Sequence, residues 1–448
     1  MNRALLLLPL LLAAAPLRAE LLAGVAEAEV TPAVGVPLAG YGGRLNRGLP
    51  ELNPFTPNAL FRPSTGVRDP IEAQALALEQ DGERIVLVAL DAIGVERAIV
   101  TDLTRAVRRR GLDLPEERLL LCATHTHSGP GALSRRPLWA LTAVDAFHRP
   151  THRRLIEALA DLVVKAWAAR RPATLAWGEV EVAGVTRNRR AGKSRRVTER
   201  DVDPRLRLLR LDGADGRPLA AAVSYAIHPT CLSEENTRFS ADVAGAIRRE
   251  TSTRLGCPVL FLAGCEGDVA PSPGGEEGIA AIGQRLGAAA AGLSARLAPR
   301  PGGGIALATL EADLGPLRIH PELLRGAGQE GIAAGALRLL RPLDGRLREP
   351  LLDTRFRLTA VRLGSLAFLL LPGEPIVELG RALEAEARAA GFPSAWVVGL
   401  ANGHMGYLTT ADEYREGGYE AWLTLHGPGS AALLIRSFRE LLAAIGPA

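Results

Sequence analysis

The sequence predicts an α/β fold: a mixed, mostly buried sheet flanked by helices, with a metal site at the carboxyl ends of its strands. Three observations predict it. Short apolar runs alternate with stretches of helical period. The runs are apolar throughout rather than alternating, as strands covered on both faces are. Polar, metal-competent residues recur just beyond the runs, at the edge where open α/β sheets bind ligands.

Met1-Asn2-Arg3 carries a positive charge into the apolar run Ala4 to Ala15, and Pro16-Leu17-Arg18-Ala19 supplies a small residue before Glu20. This layout predicts a signal peptide over 1–19, with an apolar stretch too short to span a membrane comfortably. The remainder, 20–448, reads as one catalytic domain, exported to the periplasm or the medium, with no transmembrane segment in the mature chain. The chain is 47% hydrophobic and 23% charged, which is the composition of a folded protein. Its net charge of +4 is mild and the acids and bases are interspersed, so nothing in it asks for nucleic acid. Four cysteines, Cys122, Cys231, Cys257 and Cys265, permit three disulfide pairings, and none is favoured.

Strands are expected at Ile85–Leu90, Leu119–Cys122, Ala221–Ile227, Val259–Ala263, Leu366–Leu371 and Trp396–Leu400. Val95, Ile99, Leu103 and Val107 share one helical face, with Gly111 as its stop. Ile279, Ile282, Leu286, Leu293 and Leu297 form a second stripe. The run Pro299 to Gly304 is the best internal loop, yet polar chemistry on both sides of it argues against two domains.

Asp91 follows the first strand, and His125 and His127 follow the second. His228 follows the third, and Gly264-Cys265-Glu266-Gly267-Asp268 the fourth. Pro372-Gly373-Glu374 and Asn402 with Tyr407 follow the last two. Residues i and i+2 of a strand face the same side, so His125 and His127 leave their strand on one face. Imidazole is the commonest metal-binding side chain. Two imidazoles and a carboxylate form a normal catalytic zinc set with room left for water or substrate.

Taken in order, Gly40-Tyr41-Gly42, Thr124-His125-Thr126-His127-Ser128-Gly129-Pro130-Gly131, Asn188-Arg189, Val202-Asp203-Pro204 and His228-Pro229-Thr230 with Ser240-Ala241-Asp242 form a specific set. Gly267-Asp268-Val269-Ala270-Pro271, Pro372-Gly373-Glu374-Pro375 and Gly406-Tyr407-Leu408-Thr409-Thr410 through Gly418-Tyr419-Glu420 complete it. With these segments the chain resembles the neutral/alkaline non-lysosomal ceramidase family over nearly all of the mature sequence. The resemblance implies a Zn2+-dependent amidohydrolase that cleaves the linear amide of ceramide or a related acylated lipid, at or near a membrane surface. It implies His125, His228, Glu374 and Tyr407 as zinc ligands. It places His127 and Arg189 at the substrate amide, with Tyr419 near the site. Zinc-activated water would then attack the carbonyl, and His127 or Tyr419 would stabilise the oxyanion or protonate the leaving amine.

The other residues carry simpler expectations. Asp91, Asp242 and Asp268 read as caps of helices or turns. His148, His152, His320, His404 and His426 read as structural or surface residues. In the basic run Arg187 to Arg196, Arg189 alone has a role and most of the other members form a solvated face. One departure matters: ceramidases carry a serine where this chain has Ala270. Alanine can be neither nucleophile nor hydrogen-bond partner, so the alternative is a non-catalytic or altered-specificity homologue that binds a lipid or another ligand. Barrel amidohydrolases that use His-x-His often need a bridging lysine, and neither Lys165 nor Lys193 is placed for that. Ser128-Gly129-Pro130 replaces the Asp-His of the metallo-β-lactamase pattern.

Overall fold

Eight strands form the main sheet: β1 (Leu22–Glu29), β2 (Glu72–Gln80), β3 (Glu83–Leu90), β4 (Leu119–Ala123), β5 (Arg171–Glu181), β6 (Arg205–Gly213), β7 (Pro218–Tyr225) and β8 (Val259–Ala263). Their spatial order is β8-β7-β6-β5-β1-β2-β3-β4. The computed structural model describes residues 19–45, 60–300, 304–325, 332–349 and 351–447. The expected signal peptide, apart from Ala19, and part of the Pro299–Gly304 loop lie outside the described residues. Four further strands, β9 (Ile305–Asp313), β10 (Arg355–Leu363), β11 (Leu366–Leu370) and β12 (Ser394–Val398), form a second sheet in that order. The sheets are mixed. Parallel pairing joins β3 to β4, β7 to β8 and β11 to β12, and the other pairings within both sheets are antiparallel.

Alternation of side chains stacks these elements in four layers. One face of the main sheet presents Val86, Val88, Leu119 and Leu121 to helices α1 (Arg97–Arg109) and α2 (Arg149–Ala168). The same face, further along, presents Val223 and Phe261 to α3 (Asp242–Leu255) and α4 (Gly275–Ser294). The opposite face packs Leu87, Leu120, Leu209 and Leu262 against Val361, Phe368 and Trp396 of the second sheet. The far side of that sheet is covered by α5 (Val377–Ala389) and α6 (Ser430–Ile445) through Leu369, Val397, Leu383 and Phe438. Every strand of a parallel pair is therefore buried on both faces, which explains its uninterrupted apolar sequence.

The two sheets are tied beside the strand ends. Asn402 accepts a hydrogen bond from the Leu121 backbone on its side-chain oxygen at 2.7 Å and donates to the Leu119 carbonyl at 3.2 Å. The loop that follows β12 is thereby fastened to the end of β4. All four cysteines are buried free thiols. Among the described residues no helix is long and apolar enough to cross a membrane.

Candidate metal and substrate site

Each of the three parallel pairs delivers chemistry at its carboxyl end. His125 and His127 leave β4, His228 leaves β7, and Glu374 leaves β11. His125 adopts a left-handed backbone, φ 70°, costly for a residue with a Cβ and held here by surrounding structure. That structure is polar. Thr124 donates to Asp91 at 3.2 Å, Asp91 is paired with buried Arg248 at 2.8 Å, and Thr126 donates to the Ser240 carbonyl at 2.7 Å.

The imidazoles converge. His125 Nε2 and His228 Nε2 lie 3.0 Å apart, and Glu374 Oε2 is 3.2 Å from the first and 3.8 Å from the second. His125 Nδ1 donates to the Ile93 carbonyl at 2.6 Å and His228 Nδ1 to the Glu266 carbonyl at 3.2 Å. A carbonyl only accepts, so both Nδ1 atoms carry a proton and the two Nε2 atoms point inward. Burial, then the charges of Arg189 and the neighbouring imidazoles, holds His228 well below its usual range. Burial works against the Glu374 carboxylate, but the imidazoles of His125, His404 and His228 outweigh it and keep the group well below the usual carboxylate range. Two inward imidazole nitrogens and a carboxylate oxygen without a hydrogen-bond partner are a donor set suited to a cation.

His127 sits beside this set, and its donor nitrogen lies with those of His125 and His228 within a 4.8 Å cluster. Both of its ring nitrogens are buried without a partner. Burial, then the neighbouring His125, depresses its pKa well below normal, so the ring is neutral. Tyr41 leans on it with ring centroids 4.6 Å apart. Gly40 makes that approach: a Cβ there would stand 2.7 Å from His127 Nδ1, and its φ of 104° suits glycine alone. Gly267 plays a similar part, since a Cβ there would meet the Glu374 carbonyl at 2.6 Å.

Tyr407 stands beside Glu374 and stacks near-parallel to His228 with centroids 6.4 Å apart. Its hydroxyl accepts a hydrogen bond from Arg189 at 2.8 Å. Burial pushes this phenol well above its ordinary range, with Arg189 pulling the other way. Arg189 also donates to the Gly267 carbonyl at 2.7 Å and to Glu420 at 2.8 Å. Tyr419 packs edge-on to Tyr407 at 5.7 Å and remains 36% exposed, at the rim. The structure thus brings together all seven residues that the sequence singles out.

A cavity of about 460 Å³ opens over these groups. His125, His127, Arg189, Glu374, Tyr407 and Tyr419 supply polar lining, and Ile93, Val95, Leu133, Leu138, Trp139 and Leu425 supply apolar lining.

The region of the chain from 59 to 254 matches the model for the neutral/alkaline non-lysosomal ceramidase N-terminal region. The neutral ceramidase of Pseudomonas aeruginosa is 25% identical over 462 residues, spanning 87% of this chain and 69% of that protein. The chain is similar to members of the neutral/alkaline non-lysosomal ceramidase family. The neutral ceramidase of Mycobacterium tuberculosis is 24% identical over 466 residues, with 85% of this chain and 72% of that protein covered. The crystal structure of the Pseudomonas aeruginosa neutral ceramidase superposes with a TM-score of 0.77 at 23% identity, covering 95% of this chain and 74% of the other, which shows the shared ceramidase fold. The matched region holds His125, His127, Arg189 and His228, while Glu374, Tyr407 and Tyr419 come from beyond it.

Three expectations need correction or refinement. Arg190 is not on a solvated face: it is fully buried, 2.8 Å from Glu413 and 3.0 Å from Glu420. A single buried arginine within an Arg-rich run leaves no mark in sequence. His404 is not a surface or merely structural residue, because it lines the cavity and meets Glu374 Oε1 at 3.3 Å. Asp268 does act as a cap, accepting from the backbone of Val377, the first residue of α5, at 2.9 Å.

Proposed function

We propose that this chain is an exported, zinc-dependent hydrolase that cleaves the N-acyl amide of ceramide or a closely related acylated lipid. The observation that carries the reading is the pair of inward Nε2 atoms of His125 and His228, 3.0 Å apart and facing an unpartnered Glu374 oxygen. His125, His228 and Glu374 would hold the zinc, with the Tyr407 oxygen as a further ligand. When bound, zinc supplies a Lewis acid and lowers the pKa of water toward neutrality.

The chain's own residues do the rest. The apolar lining of the cavity takes the acyl chain. Arg189 stands where it can hold the amide oxygen by a charge-assisted hydrogen bond. Neutral His127, with both nitrogens free, takes a proton from water and returns it to the leaving amine. The amide C–N bond breaks, the water oxygen joins the acyl carbon, and fatty acid and amine leave. Tyr419 closes the rim.

Ala270 does not count against this reading. It pairs with Arg187 in the short ladder between Val269–Pro271 and Thr186–Asn188. Zinc-activated water needs no seryl hydroxyl as nucleophile, so the missing hydroxyl leaves the proposed reaction intact.

Two measurements test the proposal. Zinc-loaded protein incubated with an N-acylsphingosine should release fatty acid and sphingoid base, and no turnover across a panel of acyl amides would overturn it. Export is tested by mass spectrometry of protein secreted from a bacterial host. Mature protein should start near Glu20, and intact Met1 in the periplasm would count against a cleaved leader.

A further inference from the structure

We infer that His404 is a positioning residue for the carboxylate of Glu374, fixing the plane in which it presents an oxygen to the histidine pair. The inference rests on the metal reading of that pair. His404 Nε2 lies 3.3 Å from Glu374 Oε1, while Oε2, the oxygen turned toward His125 and His228, has no hydrogen-bond partner. The two oxygens of one carboxylate thus have separate tasks. One is spent on His404 and the other is presented inward.

The terminal torsion of a glutamate is broad, so the backbone alone does not fix the plane of its carboxylate. A donor on one side does. The imidazole that supplies it is held from two directions. Its ring meets Trp139 edge-on with centroids 4.6 Å apart, and its Cδ2 lies 3.0 Å from where a Cβ on Gly94 would be. The backbone on either side of His404 is tied to the Glu374 loop as well. Met405 donates to the Pro372 carbonyl at 2.8 Å, and Glu374 donates to the Gly406 carbonyl at 3.0 Å. His404 and Glu374 therefore move as one unit, and the side-chain contact adds the orientation that the backbone contacts leave open. Outer partners of metal-binding carboxylates act in this way, and their loss weakens metal binding by roughly 10–100-fold.

The test separates the ring from its donor. His404→Phe keeps an aromatic ring against Trp139 and removes the N–H. His404→Gln loses the ring and keeps an amide donor near the same place. Zinc affinity is measured for both by competition with a chromogenic chelator, after thermal unfolding shows the metal-free variants to be folded. His404→Leu replaces the Phe variant if the latter does not fold. The expected result is zinc binding weakened roughly 10–100-fold in His404→Phe and restored to within about threefold of the natural protein in His404→Gln. Natural affinity in His404→Phe overturns the inference, and equal weakening in both variants assigns the effect to ring packing and overturns it too. A natural protein that binds no zinc overturns the metal reading itself, a different failure from either of these.

Discussion

Glu374 stands directly opposite Tyr407 in a two-residue parallel ladder, Glu374–Pro375 against Tyr407–Leu408, formed beyond the ends of the second sheet. The carboxylate and the phenol are thereby held side by side by backbone, across 33 residues of sequence that include a whole helix and a strand. Their shared neighbour is Arg189, whose charge pulls on the Tyr407 phenol and on Glu374 alike.

Purified mature protein should carry about one zinc per chain, the stoichiometry of a single two-histidine, one-carboxylate site. His125→Ala and His228→Ala should each lower the metal content sharply when measured by plasma mass spectrometry. Full zinc retention in both variants would sink the ligand assignment. Tyr407→Phe should lower it less, because a buried phenol with a raised pKa is the weakest donor of the set.

Glu420 links Arg189 at the cavity to the fully buried Arg190, accepting from the first at 2.8 Å and from the second at 3.0 Å. Glu420→Gln should destabilise the fold by about 3 kcal/mol, since it leaves buried guanidinium charge short of a partner. It should also lower kcat by freeing Arg189 from its place at Tyr407. Glu413→Gln provides the contrast, because Glu413 touches Arg190 but makes no recorded contact with Arg189. That variant should lose comparable stability and keep its kcat. Equal losses of kcat in the two would remove the positioning role of Glu420.

Ala270→Ser should change turnover of an N-acyl substrate by roughly tenfold or less, the range of one ordinary hydrogen bond. No acyl-enzyme should accumulate in either form when the reaction is quenched and examined by mass spectrometry. A natural protein that is inert, alongside an active serine variant carrying a trapped acyl group, would mean that a nucleophile has been lost at this position.

Asp268 yields a pH signature of stability. Burial raises its pKa from 3.8 to about 6, against the opposing hydrogen bonds from Val377 and Asn188. Because folding raises this pKa, the native state binds the proton more tightly than the unfolded chain does. The contribution is complete below about pH 4 and is lost as the pH climbs through 6. A shift of that size corresponds to about 3 kcal/mol. The stability gap between the natural protein and Asp268→Asn, measured by urea unfolding, should therefore be larger at pH 4.5 than at pH 7. A constant gap across that range would contradict the raised pKa.

The six strands expected from the sequence are the members of the three parallel pairs. Val86, Val88 and Leu90 face the helices while Leu87 and Ala89 face the second sheet, so every position of that run had to be apolar. The antiparallel strands escaped because their exposed or charge-paired faces interrupt the run. β1 carries Glu27 and Glu29, and β6 alternates Arg205, Arg207 and Arg210 with leucines, the first two paired with Asp203 and Glu384. The site was legible for the same reason that the parallel pairs were, since the chemistry follows directly on their ends. His404 was not, because it comes six residues after its strand, in a loop whose course is set by Asn402 reaching across to β4. Arg190 is read as solvated in any Arg-rich run until its carboxylates are found more than two hundred residues away.

The histidines follow strands of the main sheet, whereas Glu374 and Tyr407 follow strands of the second and pair in a short ladder of their own. The separation of the donors is therefore a thickness, that of the apolar filling between Leu120, Leu262, Phe368 and Trp396. Stacked sheets keep a spacing near 10 Å only while such filling is complete. A side chain shortened in that interior, touching neither cavity nor ligand, would let the two halves settle against each other and alter the reach between imidazole and carboxylate. The tuning of this centre thus extends into leucines that never meet a substrate.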